Sequence, residues 1–425
     1  MPDERGQDPG PIFPERREER PPAARALLLV ARTGQMMLEA GAEVSRVEET
    51  MERMMAALGY PGCQSFVTPT GLFLSAGAAA GAETILRRVR RRDVNLARIG
   101  ALNALARELE ARPGAAGLEV LEQKIESLRA QASVSLPLAV LAGAVAAAAA
   151  TVLVGGTTLD LIPAFLANVV VQLLLRLIGR TVFPEFFHYF AAGTTSVIMA
   201  QLLRVWWPEL HSGLVVAGGI MTLVPGVAFT ASIQDAMYGE LVSATARGLE
   251  AVMKAAGLAL GATAGLFLAR GFVPIQVSTV GWVPLVTSAG FAVILSLGSA
   301  VGFQVDARAW LPAAMAGGVT WWSYVFILER SERFGLAVFS SAAVLGLVAY
   351  LFARAFRLPT TSFVVPGFIP LVPGVTVYRA ILGVVQGDTV GSFRLFYDAL
   401  LAAGAIAAGI ALSTAIVRSF RRPLA

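Results

Sequence analysis

From Val134 to Leu412 the chain is a succession of apolar blocks separated by short polar breaks, each block close to the length at which a helix crosses a bilayer. Nothing else in the sequence restricts the fold as strongly, because a segment in lipid must pair its backbone N–H and C=O groups internally, and a helix does so. The blocks fall at 134–154, 159–179, 183–204, 212–234, 249–269, 279–301, 310–328, 335–355, 360–385 and 395–417. They predict a polytopic α-helical membrane protein with about ten transmembrane helices. The 56% hydrophobic residues and the mean hydropathy of +0.67 reflect these blocks, whereas Met1 to about Gln131 is rich in Arg and Glu.

The polar residues narrow the function classes. Cys63 is the single cysteine, so no intrachain disulfide forms, and His188 and His211 stand far apart with no Cys cluster, which argues against a metal site. No Walker A loop, nucleophile elbow or dinucleotide fingerprint occurs, so neither ATP-driven pumping nor a cofactor is indicated. The net charge of +5 is read as the positive-inside bias of a membrane protein rather than as a nucleic-acid footprint. Residues 1–22 are charged and proline-rich, lack the apolar core of a signal peptide, and are expected to be a disordered tail.

Residues 23–132 are expected to form a cytosolic α+β domain. Thr33, Met36, Met37, Ala40, Val44, Val47, Met51, Met54 and Leu58 recur at helical spacing, which predicts one helix from Ala23 to Leu58, ended by Gly59, Pro61 and Gly62. Glu43 and Glu48 lie at the margins of that stripe, with Arg46 on the polar face. Residues 63–75 and 83–90 read as short strands around Gly77 and Gly81, and 95–110 and 118–131 as helices. The basic run Arg87, Arg88, Arg90, Arg91 and Arg92 is read as a solvated face in preference to a headgroup contact.

The membrane part repeats itself. Leu223-Val224-Pro225-Gly226 recurs as Leu371-Val372-Pro373-Gly374, an offset of 371 − 223 = 148, and the same offset aligns Gly219 with Gly367, Ile233 with Ile381, Gly239 with Gly387 and Gly261 with Gly409. Two repeats, 133–270 and 271–425, with five spans each must enter the membrane from opposite sides, an inverted pair typical of transporters. With both termini cytosolic, Arg176, Arg180, Arg247, Arg308, Arg354, Arg357, Arg418, Arg421 and Arg422 fall inside. Arg204, Arg270, Arg330, Arg333 and Arg394 fall outside, so the count favours that orientation in the cytoplasmic (inner) membrane.

Proline removes an amide donor and glycine loosens the backbone, so each Pro-Gly step is expected to break its helix near mid-membrane. Half-helix amides suit a carboxylate and freed carbonyls suit an ammonium, so Pro225, Gly226, Pro373 and Gly374 are candidates for binding a zwitterion. A simple kink satisfied by neighbouring helices is the competing reading. Thr222, Thr230, Ser232, Thr376 and Tyr378 supply hydroxyls for a polar substrate side chain, although Ser and Thr often bond their own helix. Ionisable residues within spans are costly, which singles out Glu185, His188, Asp235 and Lys254. Glu185 and His188 lie one turn apart and are placed to share a proton; Asp235 follows the first break and is the preferred proton-coupling residue. A surface carboxylate is the competing reading for both acids. A membrane-anchored hydrolase using Glu43, Glu48 and Ser45 is a further alternative, without a base-oriented nucleophile to support it.

The segment Gly41-Ala42-Glu43-Val44-Ser45-Arg46-Val47-Glu48 resembles the Gly-Ala-Glu-x-x-Arg-Val-Glu-like motif of the bacterial threonine/serine exporter (ThrE) family. Leu223 to Gly226 with the later Asp235, Gly239 and Arg247, and Pro366 to Gly374, are similar to two further motifs of that family. The resemblance covers nearly all of residues 23–420, departing at Ala231 and Ala244, where the family often has Asn and Gly. It implies export of threonine and serine across the cytoplasmic membrane, driven by the proton motive force. Another small metabolite, such as a different amino acid or a dicarboxylate, is the alternative substrate, and assembly as a homo-oligomer is left open.

Overall fold

The computed structural model describes residues 23–77, 83–90, 93–112, 118–130, 134–179, 183–269 and 284–421. The expected tail at 1–22, Gly81, Arg91, Arg92, Arg180, Arg270 and Arg422 lie outside these, as does the beginning of the block at 279–301.

The N-terminal stripe forms two helices and not one. α1 (Ala23–Glu39) and α2 (Val44–Ala57) are separated at the Gly-Ala-Glu motif, where Gly41 takes a φ of +84°. Only glycine adopts that backbone cheaply, so periodicity continues across a break that the glycine makes. The stretch expected as one strand is a hairpin, β1 (Gln64–Thr68) and β2 (Gly71–Ala76), joined by antiparallel β3 (Glu83–Arg88). α3 (Leu96–Ala111) and α4 (Leu118–Ala130) follow. Met51, Met54, Met55, Leu72 and Leu74 are fully buried against Leu27, Met37 and Leu38 of α1. The inward face of the sheet thereby meets the methionine face of the helices.

The apolar region continues as α5 (Leu136–Leu153), α6 (Leu161–Ile178), α7 (Glu185–Trp206), α8 (Ser212–Gly219), α9 (Gly226–Met237) and α10 (Leu241–Leu268). It closes with α11 (Leu285–Gly302), α12 (Trp310–Ser331), α13 (Phe334–Phe356), α14 (Thr361–Phe368), α15 (Gly374–Gln386) and α16 (Thr389–Arg421). Among the described residues seven helices are long and apolar enough to cross a membrane, and eight if α14 and α15, bent by 42° at their break, count as one span. The chain is a multi-pass membrane protein. α7 and the short pair α8 and α9 fall outside that group; α7 carries Glu185, His188, Gln201 and Arg204.

The second six helices follow the packing of the first six. α7 lies on α10 as α13 lies on α16; α5 meets α6 as α11 meets α12; α8 sits against α6 and α7 as α14 sits against α12 and α13. α5 packs on α11, α9 on α16, and α15 on α10. A Cβ on Gly261 would collide with the Phe190 carbonyl, and one on Gly409 with the Phe339 carbonyl, so both helix pairs depend on glycine for their approach. Gly239 and Gly387 end α9 and α15 with φ of +86° and +89°. The offset is not gapless. The starts of α6 and α12 differ by 310 − 161 = 149 and those of α7 and α13 by 334 − 185 = 149, whereas those of α9 and α15 differ by 374 − 226 = 148. A Cβ on Gly219 would meet Ser196 and Ala167, and one on Gly367 would meet Leu345 and Ala316, their equivalents 149 residues on, so Gly219 is the counterpart of Gly367 and the one-residue slip falls before α8 and α14.

The N-terminal elements rest on three connections of the helical part and on α14. Arg247 Nη2 donates to Ala42 O at 3.1 Å, and Gln234 Nε2 to Glu43 Oε1 at 3.5 Å, at the α9–α10 connection. Leu96 N donates to Phe303 O at 3.0 Å, and Asn95 Nδ2 to Gln304 Oε1 at 2.8 Å, at the α11–α12 connection. Gly100 leaves room for Pro359 between α13 and α14. Val364 and Val365 of α14 pack against the same apolar cluster that fills the N-terminal elements.

Candidate functional site

Each Pro-Gly step interrupts a helix. Pro225 and Pro373 stand at the N-cap positions of α9 and α15 with Gly226 and Gly374 as first helical residues. The two steps converge: a Cβ built on Gly226 would meet Val372 and lie 2.9 Å from Gly374 Cα, and one on Gly374 would lie 2.8 Å from Val224 Cγ1. Neither glycine has positive φ, so close approach is what requires them. Val227 and Ala228, and Val375 and Thr376, are first-turn residues whose amides point out of their half-helices toward this junction.

The hydroxyls divide into different roles. Thr222 accepts from Asn168 Nδ2 at 3.1 Å, and the same nitrogen donates to Gly219 O at 2.8 Å, one of the carbonyls freed at the end of α8. Ser232 donates to Ala244 O at 2.7 Å and so ties α9 to α10. Thr230 is 2% exposed, and its Oγ1 has no hydrogen-bond partner among the described residues. Tyr378, its counterpart at 378 − 230 = 148, is buried in the cluster of α7, α8 and α10. Thr376 is half-buried on the first turn of α15.

Asn168 was absent from the sequence expectations, as was Gln172, whose Nε2 donates to Asn168 Oδ1 at 2.6 Å and to Val140 O at 3.2 Å. Arg176 donates to Gln172 O at 3.1 Å. Asn168, Gln172 and Arg176 recur every fourth residue along an otherwise apolar helix, a signal that a search restricted to ionisable groups passes over.

Asp235, 6% exposed, ends α9 beside the N-terminal elements. Its Oδ2 lies 3.2 Å from Arg247 Nε and accepts from Ser243 Oγ at 2.7 Å, and Arg247 reaches on to Ala42 O. The Gly-Ala-Glu segment and the residues following the first Pro-Gly step are thereby joined. Glu185 is not paired with His188: its Oε1 lies 3.0 Å from Lys254 Nζ, which also meets Glu250 at 2.7 Å, while His188 Nε2 is buried without a hydrogen-bond partner among the described residues. Glu43 stands at the N-cap position of α2 without capping it through its side chain, and Glu48 Oε1 accepts from Val67 N at 2.8 Å, fastening α2 to β1. Burial pushes the Glu48 carboxyl above its usual range, with Glu240 and Glu52 adding to the shift and the Val67 amide opposing it.

A cavity of about 730 Å³ opens between the two parts. Glu43, Arg46 and Arg107 line it on one side, Gln234 and Tyr238 of α9 lie at its edge, and Tyr350, Arg354, Phe368 and Ser413 line the helical side. It thus runs from the N-terminal motif to the end of α14. A second polar knot lies elsewhere: buried Asp160 accepts from Thr157 N and Oγ1 at 2.8 and 2.9 Å and from His211 N at 2.9 Å, with His211 Nδ1 at 3.0 Å. It joins the α5–α6 and α7–α8 connections.

Residues 28–269 match the threonine/serine exporter family model, and residues 288–416 match a second model, Threonine/Serine exporter, ThrE. The chain is 25% identical to the threonine/serine exporter of Corynebacterium glutamicum over 98% of its own length and 87% of that protein. It is 24% identical to a probable threonine/serine exporter of Mycobacterium tuberculosis, over 93% of its own length and 77% of the relative. No solved structure matches.

Proposed function

The chain belongs to the threonine/serine exporter family, and from that premise we propose that it moves threonine and serine out of the cell by alternating access around its two Pro-Gly breaks. It is a transporter and not an enzyme. The single observation that carries the mechanism is the meeting of Gly226 with Gly374, which brings two half-helix starts and their unpaired amides to one place. An amino acid zwitterion offers the carboxylate that such amides attract and an ammonium for the carbonyls freed at the ends of α8 and α14. Thr222, Thr230 and Thr376 are the hydroxyls proposed to meet the substrate; Ser232 and Tyr378 act through packing.

In this reading ten spans form an inverted repeat, residues 133–270 and 271–425, behind a cytosolic domain at 23–132. α7 and the α8–α9 pair complete the first five spans. The opposite sense of the halves is supported by the ends that meet the N-terminal elements. In the second half these are the α11–α12 and α13–α14 connections; their counterparts in the first half, the α5–α6 and α7–α8 connections, instead hold Asp160 and His211 together. Those connections then face outward, the N-terminal elements and both termini face the cytosol, and the membrane is the cytoplasmic one. The 730 Å³ cavity is the cytosolic vestibule through which substrate reaches α14. Export is coupled to the proton motive force, with Asp235 as the proton-bearing group, since it is buried, paired with Arg247, and one helix away from the break.

Counterflow of labelled threonine and serine into liposomes holding the full chain tests the proposal. Accumulation against unlabelled internal threonine is expected, steeper with a pH gradient. Folded protein that moves neither amino acid would refute it, and accumulation indifferent to pH would remove the proton alone.

A further inference from the structure

The half-helix that follows the second break carries a cation in its interior. Arg379 stands five residues after Gly374, within the bent α14–α15 pair that is apolar enough to count as one membrane span, and it is half-buried. Lys254, in the interior of α10, is held by Glu185 and Glu250 and lies over the Tyr189 ring. Arg379 has no such company. Every Asp and Glu beyond residue 22 is among the described residues, and none of them forms an ion pair with Arg379; nor does a carbonyl or an aromatic ring among them take that place.

A guanidinium in an apolar span without a counter-charge is costly, and such groups line binding paths when they occur. The placement indicates what brings the counter-charge. Side chains on a helix lean toward its N-terminus onto the residues three and four positions before, which for Arg379 are Thr376 and Val375 of the first turn of α15. Arg379 therefore leans back over the first turn of α15, the turn that abuts the junction of the two breaks, where the half-helix start adds its own positive dipole. The first half has no equivalent: the corresponding residue, at 379 − 148 = 231, is Ala231. One cation at a two-fold-related junction suits a ligand with a single carboxylate.

We propose that Arg379 receives the α-carboxylate of the exported amino acid, an assignment that rests on the exporter reading above. The residue then selects for a free carboxylate and is indifferent to the side chain, leaving the choice of threonine and serine to the hydroxyls nearby. Its planar fork takes both carboxylate oxygens, which an ammonium cannot do in the same way.

The test uses the full chain in liposomes, with threonine, threonine amide and threoninol as competitors of labelled threonine counterflow. In the parent protein the amide and the alcohol, which lack the carboxylate, are expected to compete at least roughly 30-fold more weakly than threonine. In Arg379→Gln the KM for threonine is expected to rise by a similar factor and the discrimination against the two analogues to collapse, with Arg379→Lys recovering part of both. A parent protein inhibited equally by threonine and threoninol overturns the assignment without any variant, as does an Arg379→Gln protein with parental KM and parental discrimination. A parent protein that moves no threonine removes the exporter reading and the anchor with it; one that moves threonine and ignores loss of the carboxylate removes the anchor alone.

Discussion

Gly226 and Gly374 face one another across the join between the two halves: a methyl on the first would stand 2.9 Å from the Cα of the second, and a methyl on the second 3.3 Å from the Cα of the first. Each motif therefore supplies the space that the other occupies. A simple kink in a helix needs no such partner, since its freed groups are met by whatever lies beside it. The mutual fit of two breaks that are far apart in sequence is what the proposed site rests on.

Gly226→Ala and Gly374→Ala are accordingly expected to abolish counterflow and to destabilise the protein by about 1–3 kcal/mol, because backbone on the opposite break cannot yield as a side chain does. Gly290→Ala is the control: nothing lies within 4 Å of a Cβ there, and alanine in a helix interior is favoured over glycine. Transport by Gly290→Ala should equal that of the parent. Full transport by Gly226→Ala would detach the site from the junction.

Asp235 and Arg247 form a pair whose side chains are largely buried, so removing one partner leaves the other buried and unpaired. Asp235→Asn and Arg247→Gln should each slow pH-driven export, and the double variant should lose little more than either, with a coupling of about 1 kcal/mol or more in unfolding measurements. Because Arg247 also holds Ala42 O, hydrogen exchange of the 40–44 segment should rise in Arg247→Gln. Glu185→Gln tests the rival acid; its Oε1 meets Lys254, which keeps Glu250. Strictly additive effects at Asp235 and Arg247, or a larger pH-dependent loss in Glu185→Gln, would transfer the coupling role elsewhere.

How much of this was legible in the sequence depended on whether a residue acts through its neighbours in the chain or through distant ones. The Pro-Gly breaks, the helices around them and the pairing of Gly239 with Gly387 follow from local chemistry and a repeat. The split at Gly41 was masked because methionines continue at helical spacing on both sides, and spacing cannot register a single residue of positive φ. The one-residue slip ahead of α8 and α14 stayed hidden because the glycine matches from Gly219 onward all lie after it. Asp235 with Ala42, by way of Arg247, is a contact across some two hundred positions, and Glu185 found Lys254 rather than nearby His188. Only packing determines such partners.

Asn168 holds the first break from the side, through Gly219 O and Thr222 Oγ1, and its counterpart 149 residues on is Gly317, which holds nothing. Asn168→Ala strands a buried carbonyl and is expected to cost about 1–3 kcal/mol in unfolding and to weaken threonine transport. Asn168→Asp keeps the shape but loses the donor, and should behave like the alanine variant. If Asn168→Ala unfolds and transports as the parent does, the amide has no part in fixing the break.

Cys63 is buried and its thiol is pushed up to about 11, chiefly by desolvation with Glu52 adding to it. The thiolate is the reactive form, so alkylation by iodoacetamide at pH 7.5 should be far slower than for a free thiol and should accelerate as pH rises toward that value. Cys63→Ser should leave transport unchanged. Rapid labelling at neutral pH would show that the loop before β1 opens.

Glu48 offers a titration with a definite sign. Its folded value lies above the usual carboxylate range, so the folded state binds the proton more tightly than the unfolded chain does, and stability falls as pH rises from the ordinary range through the raised one. Above that window the loss is complete; below it the group contributes no difference. Glu48→Gln keeps an oxygen to accept from Val67 N and removes the charge, so thermal unfolding of the variant at pH 7 should occur at or above the parental temperature, the two converging near pH 4. A variant less stable than the parent at pH 7 and equal to it at pH 4 would mean that the ionised carboxylate is favoured by its amide bond, and that desolvation is the smaller effect at this site.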